Sequence, residues 1–552
     1  MMDKRDIFEA LGNIDERYVE SAALSLDGKK KYAPRSFRLL PMAACLAILA
    51  LAVTSMLILM MNKPTEPAVG APADTTQGTE KPTDPLPPTT ELGTNAPVGD
   101  GFYPDVKYDT EFRVLSKVSY GDSNSWGSYD IVCLEYSNAT PDLKKAIRER
   151  NDQLKSELGV DILQINGESD SKMYNDVAKR VSLGQNAYDM VIIRTDYAAK
   201  LAQKGYIASI QDDLKYVDKE GSHYDQRAME LLSVAGKNYF FVSDVTVTNF
   251  DAAWVYYFNG SLVDEYGLED PYKLLTDGDW TVDKFLEMAE KATSDNGDNK
   301  WTKDDNWGVA GHGFVPTSMF FGMGMHIARA DEAGRMVLTV NDSRMNELVD
   351  KVAQLRPCWA RYSEHGSGEP FGFASGDSHI ELTGMYALGH TLFMGDLLAE
   401  YRNVSLGGAN ADFSVGILPT PKLNRQQDEY YTPVVSSVAT VACVPITSCG
   451  KDLDKASHII DMWAGISETT VVEAYAEQYI APRYSGRSIP ADVMDVVLRS
   501  VSYDLGYALA FGDITDELQK ILYDGDVDFA NMYKEKSSDA QSDIDEFMES
   551  FV

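Results

Sequence analysis

Residues 188–210, YDMVIIRTDYAAKLAQKGYIASI, indicate the fold class of the chain. Residues 190–193 are consecutive and apolar, which is typical of a strand buried on both faces of a parallel sheet. Asp196 can cap the helix that follows, and Gly205 is a stop signal at its end. Thr195 and Asp196 therefore fall at the carboxyl end of a strand, where open α/β sheets bind their ligands.

The same alternation of strand and helix patterns occurs in the residues before this stretch. The apolar runs YDIVCLEY and VDILQIN alternate with two helical patterns, TPDLKKAIRERNDQLKSELG and KMYNDVAKRVSLG. Thr140 and Pro141 can open the first of these helices, and Gly159 can close it. Strands that alternate with helices predict βαβ units and a parallel sheet, so the part from about residue 104 to residue 552 is expected to be α/β.

The composition argues against several classes of protein. The chain has 552 residues, 44% of them hydrophobic, and a formal net charge of −35. Phosphate contacts need clustered Lys and Arg, so a chain this acidic is not expected to bind nucleic acid. Its five cysteines show no CxxC spacing, which argues against zinc and thioredoxin-like chemistry. Cys443 and Cys449 could close a small loop, although burial as small apolar side chains is favoured for Cys133 and Cys443.

The first hundred residues predict a membrane anchor followed by a tether. Residues 1–38 form a head with an amphipathic helix, and residues 39–61 are an uncharged apolar run that meets the ~20 residues a membrane-spanning helix needs. Five Lys and Arg residues lie between positions 29 and 38, so the positive-inside rule places the head in the cytoplasm. Residues 62–103 form a disordered, Pro/Thr-rich extracellular linker. We therefore expect a single-pass protein of the cell membrane whose large domain is extracellular.

Several later segments resemble a known family. They are, in chain order, YDMVIIRTDYAAKLAQKGYIASIQDDL, WVYYFNGSLVDEYGLEDPYKLLTDGDWTVDKFLEMAEKA, FASGDSHIELTGMY, and VGILPTPKLNRQQDEYY followed by KDLDKASHIIDMWAGIS. In this order they are similar to segments of the family 1 extracellular solute-binding proteins, which include the sugar-binding components of ABC importers. The chain departs from the family pattern at Tyr386, where the family has Trp, and at Ser378-His379-Ile380, which replace Ala-Ala-Met. A membrane helix also replaces the lipid anchor that is usual in Gram-positive members.

The resemblance implies a two-lobed, periplasmic-binding-protein-like fold of type II, with a ligand cleft between the lobes. Residues of about 104–250 and 437–505 would form lobe 1, and residues of about 258–432 and 506–552 would form lobe 2. The chain would cross between the lobes near residues 254–258 and return near residues 433–444.

The residue types and the resemblance together suggest a ligand site of aromatic faces and polar side chains, which is what a sugar requires. Tyr386 takes the position of the family's stacking Trp, and a core Tyr is the alternative. The remaining candidates lie at the predicted strand ends and at the crossing: Thr195, Asp196, Ser243, Asp244 and Trp254. A helix cap is the favoured role for Asp196. Core packing is favoured for Trp254 and for two further aromatic residues, Phe320 and Phe321.

The loop SDNGDNKWTKDDNWG, residues 294–308, has the pattern of a degenerate calcium loop. Its candidate oxygen ligands are Asn296, Asp298, Thr302 and Asp305. A calcium loop of this type has Asp at position 1, Gly at position 6 and Glu at position 12, where this chain has Ser294, Asn299 and Asp305. A weak calcium site and a solvated turn are both open, with the turn favoured, and no other cofactor is expected.

The favoured function is the capture of a small solute by closure of two lobes, without chemistry. The resemblance implies a carbohydrate as the ligand and the permease subunits of an ABC importer as partners. A ligand sensor that signals through residues 1–38 is the alternative, and a polysaccharide-processing enzyme is a third hypothesis. The sequence has no GxSxG, Walker, GxGxxG or HExxH motif, which disfavours the enzyme.

Overall fold

The computed structural model describes residues 104–117, 127–134, 139–362, 372–373, 378–401, 413–480, 489–524 and 528–551. All of them belong to one compact unit, Gly93–Val552. The predicted cytoplasmic head, membrane helix and linker, residues 1–103, lie outside the described residues. None of the helices in the described part of the chain is long and apolar enough to cross a membrane.

The described residues form strands and helices that we number in chain order. The strands are β1 (Thr110–Ser116), β2 (Val160–Asn166), β3 (Met190–Arg194), β4 (Phe240–Phe241), β5 (Trp254–Asn259), β6 (Trp307–Gly311), β7 (Ala328–Ala330), β8 (Met336–Leu338), β9 (Trp359–Tyr362), β10 (Gly372–Phe373), β11 (Thr391–Leu397), β12 (Val415–Leu418), β13 (Thr432–Pro433), β14 (Thr440–Cys443) and β15 (Val501–Ser502). The helices are α1 (Pro141–Leu158), α2 (Asp170–Ser182), α3 (Thr195–Gln203), α4 (Ile210–Asp213), α5 (Gln226–Leu231), α6 (Thr248–Asp251), α7 (Gly260–Glu265), α8 (Pro271–Thr276), α9 (Val282–Ala292), α10 (Phe314–Gly322), α11 (Met345–Leu355), α12 (Ser378–Ala387), α13 (Leu453–Ser467), α14 (Glu473–Ile480), α15 (Ala491–Arg499), α16 (Leu505–Leu509), α17 (Ile514–Asp524) and α18 (Phe529–Glu549).

The first sheet has the strand order β2-β1-β3-β14-β4 within the described residues. β1 is parallel to both β2 and β3, as the alternation of strand and helix patterns predicts. β14 is antiparallel to its neighbours β3 and β4. Residues 190–193 of β3 are all buried, as predicted for a strand that is covered on both faces.

The local signals for the first helices are partly confirmed. α1 begins where the Thr140 hydroxyl accepts a hydrogen bond from Leu143 N at 3.2 Å, and Pro141 lies in its first turn. It ends at Gly159, whose φ of 68° is a left-handed conformation that favours glycine. α3 differs from the prediction because its capping position is Arg194, and Asp196 lies inside its first turn. Asp196 is therefore not the helix cap.

The second sheet has the strand order β10-β9-β6-β11-β5-β12 within the described residues. β6 is parallel to both β9 and β11, whereas β5 is antiparallel to its neighbours β11 and β12. The side chains of Trp280, Trp307 and Trp359 are fully buried in this half of the molecule. The two sheets confirm the predicted α/β fold with two lobes, and we call the halves around the first and second sheets lobe 1 and lobe 2.

Between the strands of the described residues, two chain segments lead from one sheet to the other. Residues 242–253 lead from β4 to β5, and residues 419–439 lead from β12 back to β14. The segments meet at an antiparallel bridge between Ala253 and Val434, which we call the hinge bridge. Residues 254–258, the predicted crossing, belong to β5 instead, because β5 pairs on both edges within the second sheet. The first crossing therefore lies just before the predicted position.

The C-terminal boundary between the lobes also differs from the prediction. A lobe 1 that extends to about residue 505 would contain both α14 and α15. In the structure α14 packs on α1 of lobe 1, whereas α15 packs on β12 and α8 of lobe 2. The buried face of α15, made of Val493, Met494 and Val497, finds its apolar partners in lobe 2. The chain thus enters lobe 2 before residue 491.

The cysteines of the described residues are all free thiols. Cys443 is buried, as predicted, and burial raises the pKa of its thiol to about 12. Cys133 is half-buried, and Arg148 Nη1 donates a hydrogen bond to its Sγ at 2.8 Å. Cys443 and Cys449 do not form the small disulfide loop that their spacing would allow.

Candidate functional site

The carboxyl ends of β3 and β4 lie at one edge of the first sheet, where the first crossing segment begins. Thr440 of β14 pairs with Arg194 of β3. Extending the pairing of β14 with β4 places Ser243 opposite Thr440 on the other side. Neighbouring strands are about 4.8 Å apart, so Arg194 and Ser243 lie roughly 10 Å apart along this edge. The fold thus brings the predicted site segments 194–196 and 243–244 together.

Two neutral polar side chains at this edge are buried and unpaired. Thr195 is 1% exposed, and its Oγ1 has no hydrogen-bond partner among the described residues. Ser243 is 4% exposed, and its Oγ likewise has no partner in the described part of the chain. Because burying an unpaired hydroxyl costs about 1–3 kcal/mol, both groups are candidates for pairing with a ligand.

The charged side chains at the same edge pair with one another. Arg194 donates two hydrogen bonds to Asp196, from Nε to Oδ1 at 2.8 Å and from Nη2 to Oδ2 at 2.9 Å, and this pairing raises the pKa of Arg194. Asp170 accepts a hydrogen bond from Arg194 N at 3.2 Å and forms an ion pair with Lys117 at 2.9 Å. The carboxylate of Asp196 is therefore engaged by its neighbour.

Asp244 lies next to Ser243 and has a perturbed carboxyl group. Burial raises its pKa well above the usual value, and repulsion from Glu468 and Asp225 raises it further. A carboxyl group with a raised pKa keeps its proton over a wider pH range and can then donate a hydrogen bond. A ligand contact by Asp244 stays a prediction.

An aromatic cluster lies at the facing edge of the second sheet. Trp254 begins β5 and pairs with Leu397 at the carboxyl end of β11. Phe314 follows β6 by three residues and contacts Trp254 with ring centroids 5.0 Å apart. Tyr507 packs on Phe314 at 5.9 Å. We call Trp254, Phe314 and Tyr507 the aromatic corner.

The aromatic corner combines apolar faces with an unpaired donor. Phe314 is half-buried, whereas Trp254 is 3% exposed. Within the described residues, the indole Nε1 of Trp254 has no hydrogen-bond acceptor. A side chain on Gly395 would approach the Trp254 ring to 3.0 Å, so the glycine leaves room for the indole.

Helix α16 brings the two edges close to each other. It packs on α3, which carries Thr195, and on β7 of lobe 2, and it carries Tyr507 of the aromatic corner. Asp504 fixes its position, because Oδ1 accepts from Tyr507 N at 2.7 Å and Oδ2 accepts from Ile327 N at 2.9 Å. His326 Nδ1 also lies 3.1 Å from Asp504 Oδ2. Thr195 and Trp254 therefore belong to one interlobe region.

The first crossing segment is anchored in lobe 1 by two buried residues. The Asp130 carboxylate accepts hydrogen bonds from Thr246 Oγ1 at 3.0 Å and from Val247 N at 2.6 Å. Arg150 of α1 donates to Val245 O at 3.1 Å. Burial lowers the pKa of Arg150 to about 10, although the charge of Asp130 opposes that shift.

Tyr386 has a different place from the one that the resemblance implies. It lies in α12, five residues before β11 begins, so it is at the amino end of that strand. Its side chain is 0% exposed and packs on Phe413 and Tyr257, with ring centroids 5.4 and 6.5 Å away. The segment FASGDSHIELTGMY, residues 373–386, ends inside α12, and β11 begins only after that helix. Tyr386 therefore packs in the core, as Phe320 and Phe321 do, while its hydroxyl has no hydrogen-bond partner within the described residues, so a ligand contact by Tyr386 stays a prediction.

Two residues of the aromatic corner were not among the sequence candidates. Phe314 follows the buried strand β6 through Gly311-His312-Gly313, which is the same strand-end signal that pointed to Thr195. The sequence alone could therefore have found Phe314. Tyr507 lies 193 positions further along the chain, and no local pattern connects it with Phe314.

The candidate calcium loop uses its oxygen atoms in its own turns. Asp305 is fully buried, and its Oδ1 accepts a hydrogen bond from Asn296 N at 2.8 Å. Its Oδ2 accepts from Thr302 Oγ1 at 3.3 Å, and Asp298 Oδ1 accepts from Lys300 N at 2.8 Å. The described residues contain no group of three or more His, Cys, Asp or Glu side chains that could hold a metal ion. Calcium binding by this loop stays a prediction.

Solved structures share this arrangement of two lobes. The cyclic α-maltosyl-1,6-maltose binding protein from Arthrobacter globiformis is similar with a TM-score of 0.50 and 11% sequence identity, over 79% of this chain and 98% of that chain. The likeness shows the fold. A sugar transporter from Rhizobium etli in an open conformation has a TM-score of 0.48 and 13% identity, over 80% of this chain and 99% of that chain.

An ABC substrate-binding protein from Listeria monocytogenes in complex with cycloalternan is similar with a TM-score of 0.44 and 14% identity, over 80% of this chain and 99% of that chain. No protein-family model matches the sequence, and no curated protein matches it either. The likeness to the Arthrobacter globiformis protein shows the two-lobed α/β fold, and the ligand of this chain has to be inferred from its own residues.

Proposed function

We propose that this chain is a solute-binding protein without catalytic activity, that it captures a carbohydrate between its two lobes, and that it serves an ABC-type importer. The observation that carries the proposal is the set of unpaired polar atoms in the interlobe region. These atoms are Thr195 Oγ1, Ser243 Oγ and Trp254 Nε1, and none of them has a partner in the described residues.

The three groups are all neutral, which favours an uncharged ligand. The charges beside them are neutralised by the Arg194–Asp196 and Lys117–Asp170 pairs. A sugar offers hydroxyl groups that accept from an indole N–H and exchange hydrogen bonds with Thr and Ser hydroxyls. Its apolar ring face can cover an aromatic side chain such as Phe314. The solved structure from Arthrobacter globiformis is named as a cyclic α-maltosyl-1,6-maltose binding protein, which supports the same ligand class.

The cellular setting is part of the same proposal and rests on the sequence. Residues 39–61 would hold the protein in the cell membrane as a single-pass anchor, and residues 62–103 would let the binding domain stand outside the cell. A binding domain that is tethered outside the cell in this way would deliver solute to permease subunits in the same membrane. Protease treatment of intact cells, or labelling of intact cells with an antibody against residues 104–552, tests this orientation.

A thermal-shift screen of the full chain tests the ligand class. A ligand at 100 times its Kd stabilises the folded state by about 2.7 kcal/mol, which raises Tm measurably. We expect neutral oligosaccharides to raise Tm, and we expect amino acids and sugar phosphates to leave it unchanged. A panel in which no oligosaccharide raises Tm would contradict the proposal. Release of a cleaved product from a labelled glycan would favour an enzyme instead.

Ligand sensing is the second candidate function. The observation that favours it is the amphipathic pattern of residues 1–38, which a transport receptor would not need. A pull-down with residues 1–38 distinguishes the two functions, because import predicts no specific cytosolic partner and sensing requires one.

A further inference from the structure

Asp251 lies in the first crossing segment, which joins the two lobes. It ends α6, two residues before Ala253 of the hinge bridge. α6 contacts β14 of the first sheet and the turn of residues 398–400, which follows β11 of the second sheet. The preceding residues 245–247 are fixed to lobe 1 through Arg150 and Asp130. Asp251 therefore lies between the part of the crossing segment that is fixed to lobe 1 and the hinge bridge.

Helix α14 holds Asp251 through a buried tyrosine. The Tyr475 hydroxyl donates a hydrogen bond to Asp251 Oδ1 at 2.8 Å, and the Tyr475 ring lies against Phe250 with centroids 5.7 Å apart. Tyr479, one turn later, donates to the Tyr475 oxygen at 3.0 Å. Burial raises the pKa of Tyr475 well above 10, so its hydroxyl keeps its proton and remains a donor.

α14 is attached to lobe 1 through an unusual turn. α13 continues into α14 through a π-helical turn over residues 468–472. Such turns are rare and occur frequently at functional sites. α14 packs on α1 of lobe 1 and on α15 of lobe 2, so it lies between the lobes.

A row of tyrosines continues from α14 into lobe 2. Tyr479 contacts Tyr401, which follows residues 398–400, with ring centroids 5.1 Å apart. Tyr401 stacks on Tyr257 of β5 at 6.4 Å. The Tyr257 hydroxyl donates to Leu397 O, at the carboxyl end of β11, at 2.7 Å. Packed side chains thus connect Asp251 with the edge of the second sheet that carries Trp254.

We propose that the Tyr475–Asp251 hydrogen bond is a hinge lock, which sets the equilibrium between open and closed lobes and thereby regulates the affinity of the interlobe site. Tyr475 is a positioning residue in this account, since it acts through the hinge segment. The part that concerns affinity rests on the proposed function, whereas the part that concerns lobe opening does not.

The experiment compares two variants of the full chain that each lose only a hydroxyl group. Tyr475→Phe removes the hydrogen bond to Asp251 together with the one that Tyr479 donates, and it keeps the ring contacts. Tyr256→Phe is the matched control, because the Tyr256 hydroxyl is also buried and lies 2.9 Å from Ser318 Oγ, with both residues inside lobe 2. A hydrogen bond to a carboxylate corresponds to about a tenfold change in an equilibrium constant.

Small-angle X-ray scattering and ligand titration give the two readouts. We expect Tyr475→Phe to broaden the distance distribution of the unliganded protein and to change Kd for the bound oligosaccharide by about tenfold. Tyr256→Phe should lower Tm without changing the distance distribution. If Tyr475→Phe lowers Tm but leaves Kd as in wild type and the distance distribution as in the control, the bond is merely structural and the hinge lock is refuted.

Failure of the proposed function is recognisable separately. If no oligosaccharide binds the wild-type chain, the scattering comparison alone decides the hinge lock. A broader distance distribution in Tyr475→Phe than in Tyr256→Phe then supports it, and identical distributions overturn it.

Discussion

Replacing Arg150 by Met removes the buried group that anchors the first crossing segment to lobe 1. The guanidinium donates to the carbonyl oxygens of Asp130, Ile131 and Val245, and it lies over the Trp463 ring at 5.0 Å. Arg150→Met keeps most of the side-chain volume, but it removes the donor of Asp130 O and Val245 O, whereas Ile131 O keeps a hydrogen bond from Asn151 Nδ2 at 2.9 Å. It also removes the positive charge that counteracts the raised pKa of the buried Asp130.

The expected loss follows from these contacts. A buried carbonyl oxygen that loses its donor costs about 1–3 kcal/mol, and both Asp130 O and Val245 O lose theirs. We therefore expect the free energy of unfolding of lobe 1 to fall by about 4 kcal/mol, since the two effects overlap at one site. The exposed Arg148 lies two residues earlier in α1 and donates its hydrogen bond to Cys133 at the surface, so Arg148→Met should lower that free energy by no more than about 1 kcal/mol.

Urea unfolding of both full-length variants, followed by tryptophan fluorescence, measures the difference. The midpoint should fall clearly for Arg150→Met and stay near the wild-type value for Arg148→Met. Equal midpoints for the two variants would refute the reasoning, because the buried cluster would then contribute no more than a surface arginine.

Three further predictions concern the pH dependence, the candidate calcium loop and the aromatic corner. Because the pKa of the Asp244 carboxyl is raised in the folded state, its contribution to stability is complete below about pH 4 and is lost as the pH rises through the raised value. Asp244→Asn should therefore have a higher Tm than wild type at pH 7, and the difference in Tm should be smaller at pH 4. Calorimetry at both pH values checks this, and an equal advantage at both would contradict it. Chelation with EDTA should leave Tm unchanged, because Asp305 uses both carboxylate oxygens within the loop, and a fall in Tm that calcium reverses would show a metal site. Phe314→Ala should weaken oligosaccharide binding about tenfold through the loss of aromatic stacking, as measured by titration calorimetry, and an unchanged Kd would place the ligand elsewhere.

The sequence predicted the parts of the fold that depend on neighbouring residues. The apolar run at residues 190–193 is the buried strand β3, and Thr140 and Gly159 cap α1 as expected. These signals are local, since a cap or a buried strand needs only a few consecutive residues. The order of the resembling segments added the two-lobed fold, which no local pattern could show.

The parts that the sequence did not predict depend on contacts between distant positions. Asp196 pairs with Arg194 instead of capping α3, because the guanidinium offers two hydrogen bonds in a fixed geometry. Tyr386 is a core residue because α12 separates it from the end of β11. The aromatic corner joins residues 254, 314 and 507, so only the folded chain reveals it.

The sequence therefore predicted where the candidate site lies better than it predicted which residues form it. Thr195, Ser243 and Trp254 lie in the interlobe region that the strand ends indicated. Their unpaired atoms could not be foreseen, since pairing depends on every neighbour in space.

The most direct test of the binding site is titration calorimetry of the Thr195→Val variant of the full chain with the oligosaccharide that gives the largest thermal shift. Valine keeps the shape of threonine and removes the hydroxyl that has no partner in the described residues. We expect the unliganded variant to be at least as stable as wild type, since an unpaired buried hydroxyl is lost. We expect its affinity to be about tenfold lower, since the ligand loses a hydrogen bond. Equal affinity in the variant and the wild type, or no binding by either, would contradict the account.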